Sequence, residues 1–321
     1  MTRRIVLDTD MGSDVDDALC LALALASPEI ELVAVTHVAG DTRLRARISR
    51  RVLDLAGRRD VPVHAGESVP LGASPDKFVW FGNEGVGILD ADDTGRVEEE
   101  SAVDALIRLF EADGDLELVA VGPMTNVAAA LARRPSLATR IRQLTIMGGH
   151  LREITYRGTV FPSGVDYNLC SDPDASLIVL RSGIPTRMVT GDVTLQTWLT
   201  RAGLDAIAAR GGPLRRALVA AVEEWTPIMY RLFGADDAMR ADANVAFLHD
   251  PLALASVFDE SFCTFEDLAI EPRIENGVLR TIESRRLEAG TFAMRCAVAV
   301  DAARFGEFFV ERLCSGLADV G

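Results

Sequence analysis

Short β-rich apolar runs and helical runs take turns along the first 190 or so residues of this chain. Residues 3–7, 31–38, 62–65, 116–121, 144–147 and 186–189 read as strands. Residues 16–26, 43–55, 101–112, 126–133 and 171–181 read as helices, the third of them with Ser101 as N-cap. Strands separated by helices run parallel, because each helix carries the chain back across the sheet, and such a sheet is covered on both faces. Past about residue 195 the pattern turns mainly helical, with strands expected near 265–270 and 291–300 and a closing helix at 302–313. There is no internal repeat, low-complexity tract or composed linker. The expected fold is therefore α/β: a single large domain over 1–321, a mostly parallel central sheet flanked by helices, and a more helical C-terminal third.

The first turn of that fold carries an unusual load. Asp8, Asp10, Asp14, Asp16 and Asp17 fall within ten residues, between two apolar runs. Asp8 and Asp10 sit at the carboxyl end of the first strand, where ligands bind in a Rossmann-like open sheet. Asp16 and Asp17 open the next helix, whose exposed N–H groups favour one or two carboxylates but not five. Converging carboxylates raise one another's pKa. A hard divalent cation, Ca²⁺ or Mg²⁺, removes that repulsion by taking oxygen ligands. An EF-hand is excluded, since a loop starting at Asp8 would need Gly at Ser13 and Glu at Leu19. A haloacid-dehalogenase-type phosphatase also places D-x-D after its first strand, but it needs a lysine for the phosphate. The only lysine, Lys77, lies in a loop, which makes this the weaker competitor.

Composition narrows the partners. A formal charge of −15 argues against nucleic acid and anionic membrane surfaces. The longest apolar stretch, 18–26, is too short to span a bilayer. Five scattered cysteines without a CxxC pair suggest neither a zinc site nor a disulfide framework. With a strand-like N-terminus in place of a signal peptide, a cytoplasmic location is expected.

Three further motifs follow. "HDPLALA" sets His249 and Asp250 before a proline and an apolar helix, which suits a metal ligand beside a proton donor, or an N-cap. "GPMTNVAAAL", from Gly122, closes a strand and opens a helix. "VDYNLCSDPDAS" carries Asp166 and Asn168 ahead of Ser171, a candidate cap for the following helix. Singly, each is a turn or a cap.

Together they resemble the inosine–uridine-preferring nucleoside hydrolase superfamily, over nearly the whole chain and in order. "DTDMGSDVDDALCLALAL", "VAGDTRLRARI", "VPVHAGESVPL", "GNEGVGILD", "VAVGPMTNVAAAL", "LTIMGG", "VDYNLCSDPDA" and "HDPLALA" match its blocks. The resemblance implies hydrolysis of the N-glycosidic bond of ribonucleosides, with one Ca²⁺ per subunit. That ion would be held by Asp10, Asp17, the main-chain carbonyl of Thr125, and Asp250. It implies that Asp10 activates the attacking water and that His249, whose imidazole can carry a proton near neutral pH, protonates the departing base. Asp16, Asn168 and Asp250 would bind the ribose hydroxyls, Asp166 the 5′ hydroxyl, and Met147 would pack on the sugar. Asp8 fits a supporting role. A homodimer or homotetramer, with a small-molecule nucleoside as substrate, is also implied.

The chain departs from the family pattern in places. Met11 replaces a proline, and two extra residues precede Asp16 and Asp17, so that Asp14 is an alternative to either. Asp41 stands where many members have Asn, and is a further candidate for contact with the ribose. A Gly-Asn pair is replaced within "GTVFPSG", and Asp166 is one methylene shorter than the usual Glu. Recognition at the 5′ position is thus the least secure transfer. Trp80, Trp225 and Tyr230 are candidates for contact with the base, in two segments that also carry Phe78 and Phe81; ordinary helix packing for Trp225 and Tyr230, and a subunit contact for the loop aromatics, are the competing readings. His37 and His64 read as core, whereas His150, after Gly148-Gly149, is a candidate for the pocket wall. The alternative functions are a non-catalytic, metal-dependent binder of a ribosyl ligand and a hydrolase of a modified ribosyl compound. Retention of both a base and an acid favours catalysis.

Overall fold

The structure is a computed structural model, and it describes residues 2–72, 81–90, 95–156, 159–233 and 243–317. Strands form at β1 (Arg3–Thr9), β2 (Ile30–His37), β3 (Val63–Ala65), β4 (Glu117–Ala120) and β5 (Gln143–Met147). A small hairpin follows, β6 (Ile154–Tyr156) and β7 (Thr159–Phe161), then β8 (Thr186–Val189) and β9 (Trp198–Thr200). The last are β10 (Asn244–Phe247), β11 (Cys263–Glu275), β12 (Val278–Ser284) and β13 (Phe292–Val300). Nine of them make one sheet in the order β12-β11-β13-β8-β5-β4-β1-β2-β3. Only β11 runs against the rest, pairing antiparallel with both β12 and β13. The mixed α/β fold is the one expected, with more strand in the C-terminal third than the helical pattern there suggests.

Strand alternation sorts the core into two layers. In β1, Ile5 and Leu7 face the layer that holds helices Asp16–Ala26, Thr42–Leu55, Pro213–Leu232, His249–Ala255 and Ala302–Ser315. Val6 faces the other layer, with helices Ala102–Ala112, Thr125–Arg133 and Pro173–Leu180. The helix after β1 and the helix after β4 thus lie on opposite faces, although β1 and β4 are neighbours. This is the topological switch point of an open sheet, and it leaves a crevice beyond the carboxyl ends of β1 and β4.

Two elements differ from the sequence reading. The helix expected at 171–181 is two helices, Tyr167–Ser171 and Pro173–Leu180. Asp166 caps the first through the Leu169 amide (3.0 Å), and Asp172 caps the second through the Ala175 amide (3.1 Å). Ser171 is therefore not the cap. Pro173 has no N–H to give and begins a helix at no cost. The second difference is β12, joined to β11 by Asn276-Gly277 with φ of 53° and 77°, the conformation of a type I′ turn. No helix among the described residues is long and apolar enough to cross a membrane.

Candidate active site

The acid loop is built by the end of β1. By alternation Asp8 points away from Leu7, under helix Thr125–Arg133, and there it accepts from Thr36 Oγ1 (2.5 Å) and Asn126 Nδ2 (2.8 Å). Burial still pushes its carboxyl up to about 7, and its Oδ2 has no partner. Asp8 is a buried support. Thr9 faces the opposite layer, where its hydroxyl donates to Asp17 and accepts from the Met11 amide (3.1 Å). The chain then turns at Gly12, φ +104°, where a β-carbon would lie 2.7 Å from Ile48 Cδ1. Gly122, just past β4, is equally constrained, since a β-carbon there would stand 2.8 Å from the Asp10 amide nitrogen and 2.9 Å from its Oδ1.

A buried arginine holds this loop. Arg45, in helix Thr42–Leu55, bonds to the carbonyls of Ala39 (2.6 Å), Asp10 and Met11 (2.8 Å) and to Ser13 Oγ (2.9 Å). Its charge opposes the rise that burial imposes on Asp10. The sequence reading missed it as a site residue. The available signal was its spacing: Arg45 lies on the buried stripe with Ile48, Ser49 and Val52.

Asp16 and Asp17 open helix Asp16–Ala26. Asp250 opens His249–Ala255, a helix packed against the first. Asp16 ties the two together, its Oδ2 lying 3.4 Å from the Asp250 amide nitrogen. Asp16, Asp17 and Asp250 each bring an oxygen within 4.8 Å of the others, a buried group that could hold a metal ion. Burial first, and then their mutual repulsion with Asp10, pushes all three carboxyls well up. Asp14 is driven to about 8 for the same reasons. The donor set is carboxylate oxygen, which fits a hard cation. The resemblance names Asp10 with Asp17 and Asp250, and Asp10 stands in the same cavity wall as this group, close enough to repel each of its members.

A cavity of about 360 Å³ opens on these acids. Asp10, Asp14, Asp16, Asp17 and Asp250 form one wall, and Met147, Asp166, Asn168 and His249 complete its polar lining together with Ser13, His150 and Tyr167. Phe81, Phe161, Trp225, Leu232 and Phe233 form an apolar flank. Asn168 gives its amide nitrogen to the carbonyls of Val121 (2.6 Å) and Met147 (3.1 Å). Burial raises Asp166 to about 6 against the N–H groups it caps. His249 stacks on Phe247 at 5.2 Å and sets its Nδ1 2.7 Å from Thr194 Oγ1. Burial lowers His249 to about 4, which favours the neutral ring.

Three expected residues are not among those lining the cavity, and a fourth is not described. Asp41 is an exposed N-cap, accepting from the Leu44 amide (2.9 Å), and lies outside the cavity wall. Thr125 opens its helix beyond β4 with its side-chain hydroxyl turned to Asp172 (2.7 Å), while the ligand expected of it is the main-chain carbonyl. Tyr230 turns its hydroxyl to the Asn244 carbonyl (2.8 Å), also outside the wall. Trp80 lies outside the described residues. Trp225 does reach the cavity, edge-on to Phe81 with ring centroids 5.7 Å apart.

Residues 5–307 match the model of the family described as inosine-uridine preferring nucleoside hydrolase. The chain belongs to that family, and so to the N-glycosyl hydrolases. It is 31% identical over 282 residues to the inosine-uridine preferring nucleoside hydrolase of Crithidia fasciculata, covering 84% of each chain. It is 36% identical over 223 residues to the pyrimidine-specific ribonucleoside hydrolase RihA of Enterobacter sp. (strain 638), covering 67% of this chain and 68% of that one. Among solved structures, the purine-preferring ribonucleoside hydrolase from Gardnerella vaginalis superposes with a TM-score of 0.85 at 30% identity, over 99% of this chain and 100% of that one.

Proposed function

We propose that this protein hydrolyses ribonucleosides to ribose and free base, with one Ca²⁺ per chain. The observation that carries the reading is the convergence of Asp10, Asp16, Asp17, Asp250, Asn168 and His249 on one cavity at the switch point of the sheet. Asp10, Asp17 and Asp250, with the Thr125 carbonyl, are the proposed ligands. Once bound, the cation would grip the ribose diol and lower the pKa of a water. Asp10 accepts the proton of the attacking water as its oxygen bonds to C1′. The C1′–N bond breaks and its electron pair leaves on the base nitrogen. The sugar passes through an oxocarbenium-like state, which the surrounding carboxylates favour electrostatically. Asp16 and Asn168 position the ribose hydroxyls, and Met147 packs on the ring.

His249 serves the leaving base. The Thr194 hydroxyl lies 2.7 Å from Nδ1; with Nδ1 as the acceptor of that contact, the ring proton sits on Nε2 and is offered to the departing nitrogen. A neutral imidazole assists departure by a hydrogen bond rather than by carrying a full charge.

The test is release of free base from a panel of purine and pyrimidine ribonucleosides, with and without Ca²⁺. Release should require the metal, and Asp10→Asn should reduce it about 10³-fold. Absence of release from every ribonucleoside by the Ca²⁺-loaded protein would overturn the reading in favour of a binding role.

A further inference from the structure

One polar side chain of the cavity wall has no part in that reaction. His150 is 4% exposed, and its Nε2 is buried without a hydrogen-bond partner. The ring is set in place by its own main chain, whose amide donates to Thr281 Oγ1 (3.1 Å) and whose carbonyl accepts from the Gly164 amide (2.5 Å). Its Nδ1 lies against Gly191, also in the wall, where a β-carbon would sit 3.3 Å away. The preceding residue, Gly149, gives its amide to Asp166, and His150 and Asp166 both line the cavity. Buried ring nitrogens ordinarily have partners, and one that lacks a partner beside a cavity marks where a ligand group completes the bond.

The direction of the cavity shows which group. It follows the strand ends, from Asp10 after β1, past Val121 after β4 and Met147 at the end of β5, to Gly191 after β8. Strands lie about 4.8 Å apart, so its far end is roughly 14 Å from the acid loop. A ribose gripped by its diol at the acidic end extends two groups. The base leaves C1′ toward His249, stacked on Phe247 among the aromatic side chains. The 5′ carbon leaves C4′, from the opposite side of the ring, toward the wall of Asp166.

We propose that His150, together with Asp166, binds the 5′ hydroxyl of the substrate, so that this chain selects unmodified ribonucleosides over 5′-deoxy ones by means of an imidazole. This rests on the nucleoside hydrolase reading. The test compares kcat/KM for uridine and inosine with that for their 5′-deoxy analogues. Wild type should prefer the hydroxylated member of each pair by about tenfold or more. His150→Phe should lose far more on the hydroxylated substrate, bringing the pair together, whereas His150→Gln, which keeps a donor and an acceptor, should retain the preference. Equal losses on both members would overturn the proposal. If His150→Phe fails to fold, Gly191→Ala, whose added carbon crowds Nδ1, should narrow the preference in the same way.

A second measurement needs no bond cleavage: calorimetric binding of methyl β-D-ribofuranoside and its 5-deoxy analogue to the Ca²⁺-loaded protein. A preference for the hydroxylated ring that disappears in His150→Phe supports the proposal even without turnover of nucleosides. Binding without preference overturns the proposal alone, and binding of neither ring overturns it together with the ribosyl reading.

Discussion

The two walls of the cavity are made in different ways. The carboxylate wall belongs to the framework: Asp10 follows a central strand, Asp16, Asp17 and Asp250 open two packed helices, and Arg45 and Thr9 pin the loop between them. The aromatic flank is borrowed from the periphery. Phe81 comes from a connecting segment, Phe161 from the small β6–β7 hairpin, and Leu232 and Phe233 from the end of a long helix. Groups that must meet a reacting atom sit where the backbone leaves no freedom. The apolar groups placed to meet the base sit where substitution is tolerated, and under the proposed function they are the groups that sort one base from another. On this comparison, damage to the first wall should cost every substrate alike, and damage to the second should cost substrates unequally.

Gly122→Ala is the sharpest way to break the first wall without touching an acid. Its new carbon must displace Asp10, from which it would stand 2.8–2.9 Å. A shift of this kind costs about 10²-fold in rate. We expect that loss in kcat on purine and pyrimidine substrates equally, with a small change in thermal midpoint; a loss confined to one base class would contradict the division of labour. Trp225→Ala tests the second wall. It removes a buried ring beside Phe81, and should change the ratio of kcat/KM between inosine and uridine by about tenfold, mostly through KM. A uniform drop in kcat would instead place Trp225 with the framework.

The smallest effect concerns His37, a framework residue beneath the site. Its Nδ1 meets the His64 carbonyl (2.9 Å), its Nε2 meets Ser49 Oγ (2.7 Å), and burial lowers its pKa from 6.5 to about 3. The unfolded chain takes up a proton below pH 6.5 that the folded chain refuses until about pH 3. Its contribution to stability is therefore complete above 6.5 and is lost as the pH falls through that window, by up to about 1.4 kcal/mol per pH unit. Urea midpoints measured at pH 6, 5 and 4 should fall less steeply for His37→Asn than for wild type. Parallel slopes would show that the imidazole is not what is titrating.

Much of this was legible in the sequence, for identifiable reasons. Strand and helix alternation survives in any parallel sheet buried on both faces, and so β1–β5 and β8 fall within one or two residues of the expected runs. The acid loop was legible because five like charges at a strand–helix corner have few explanations. Asp41 was misplaced because a polar residue before a helix serves as a cap unless something else claims it, and here the Leu44 amide does. The β11–β12 hairpin was overlooked although Asn276-Gly277 announces it, because the flanking runs carry charges on the half-exposed face of an edge hairpin. Arg45 was not singled out within the helix expected at 43–55, since sequence shows charge and not what that charge meets. Thr194, which orients His249, left no trace in the sequence at all.

The bond between Asp16 and the Asp250 amide joins residues 234 positions apart. The acid loop and Arg45, by contrast, are within 35 positions of each other. At a synthesis rate of about 5–20 residues per second, the loop waits on the order of ten to fifty seconds for its last carboxylate. During that interval the nascent chain has the clamp but not the complete cage. Capture of a cation by this group would consequently be a late event of maturation, and a truncated product ending before residue 250 would leave the ribosome without Asp250.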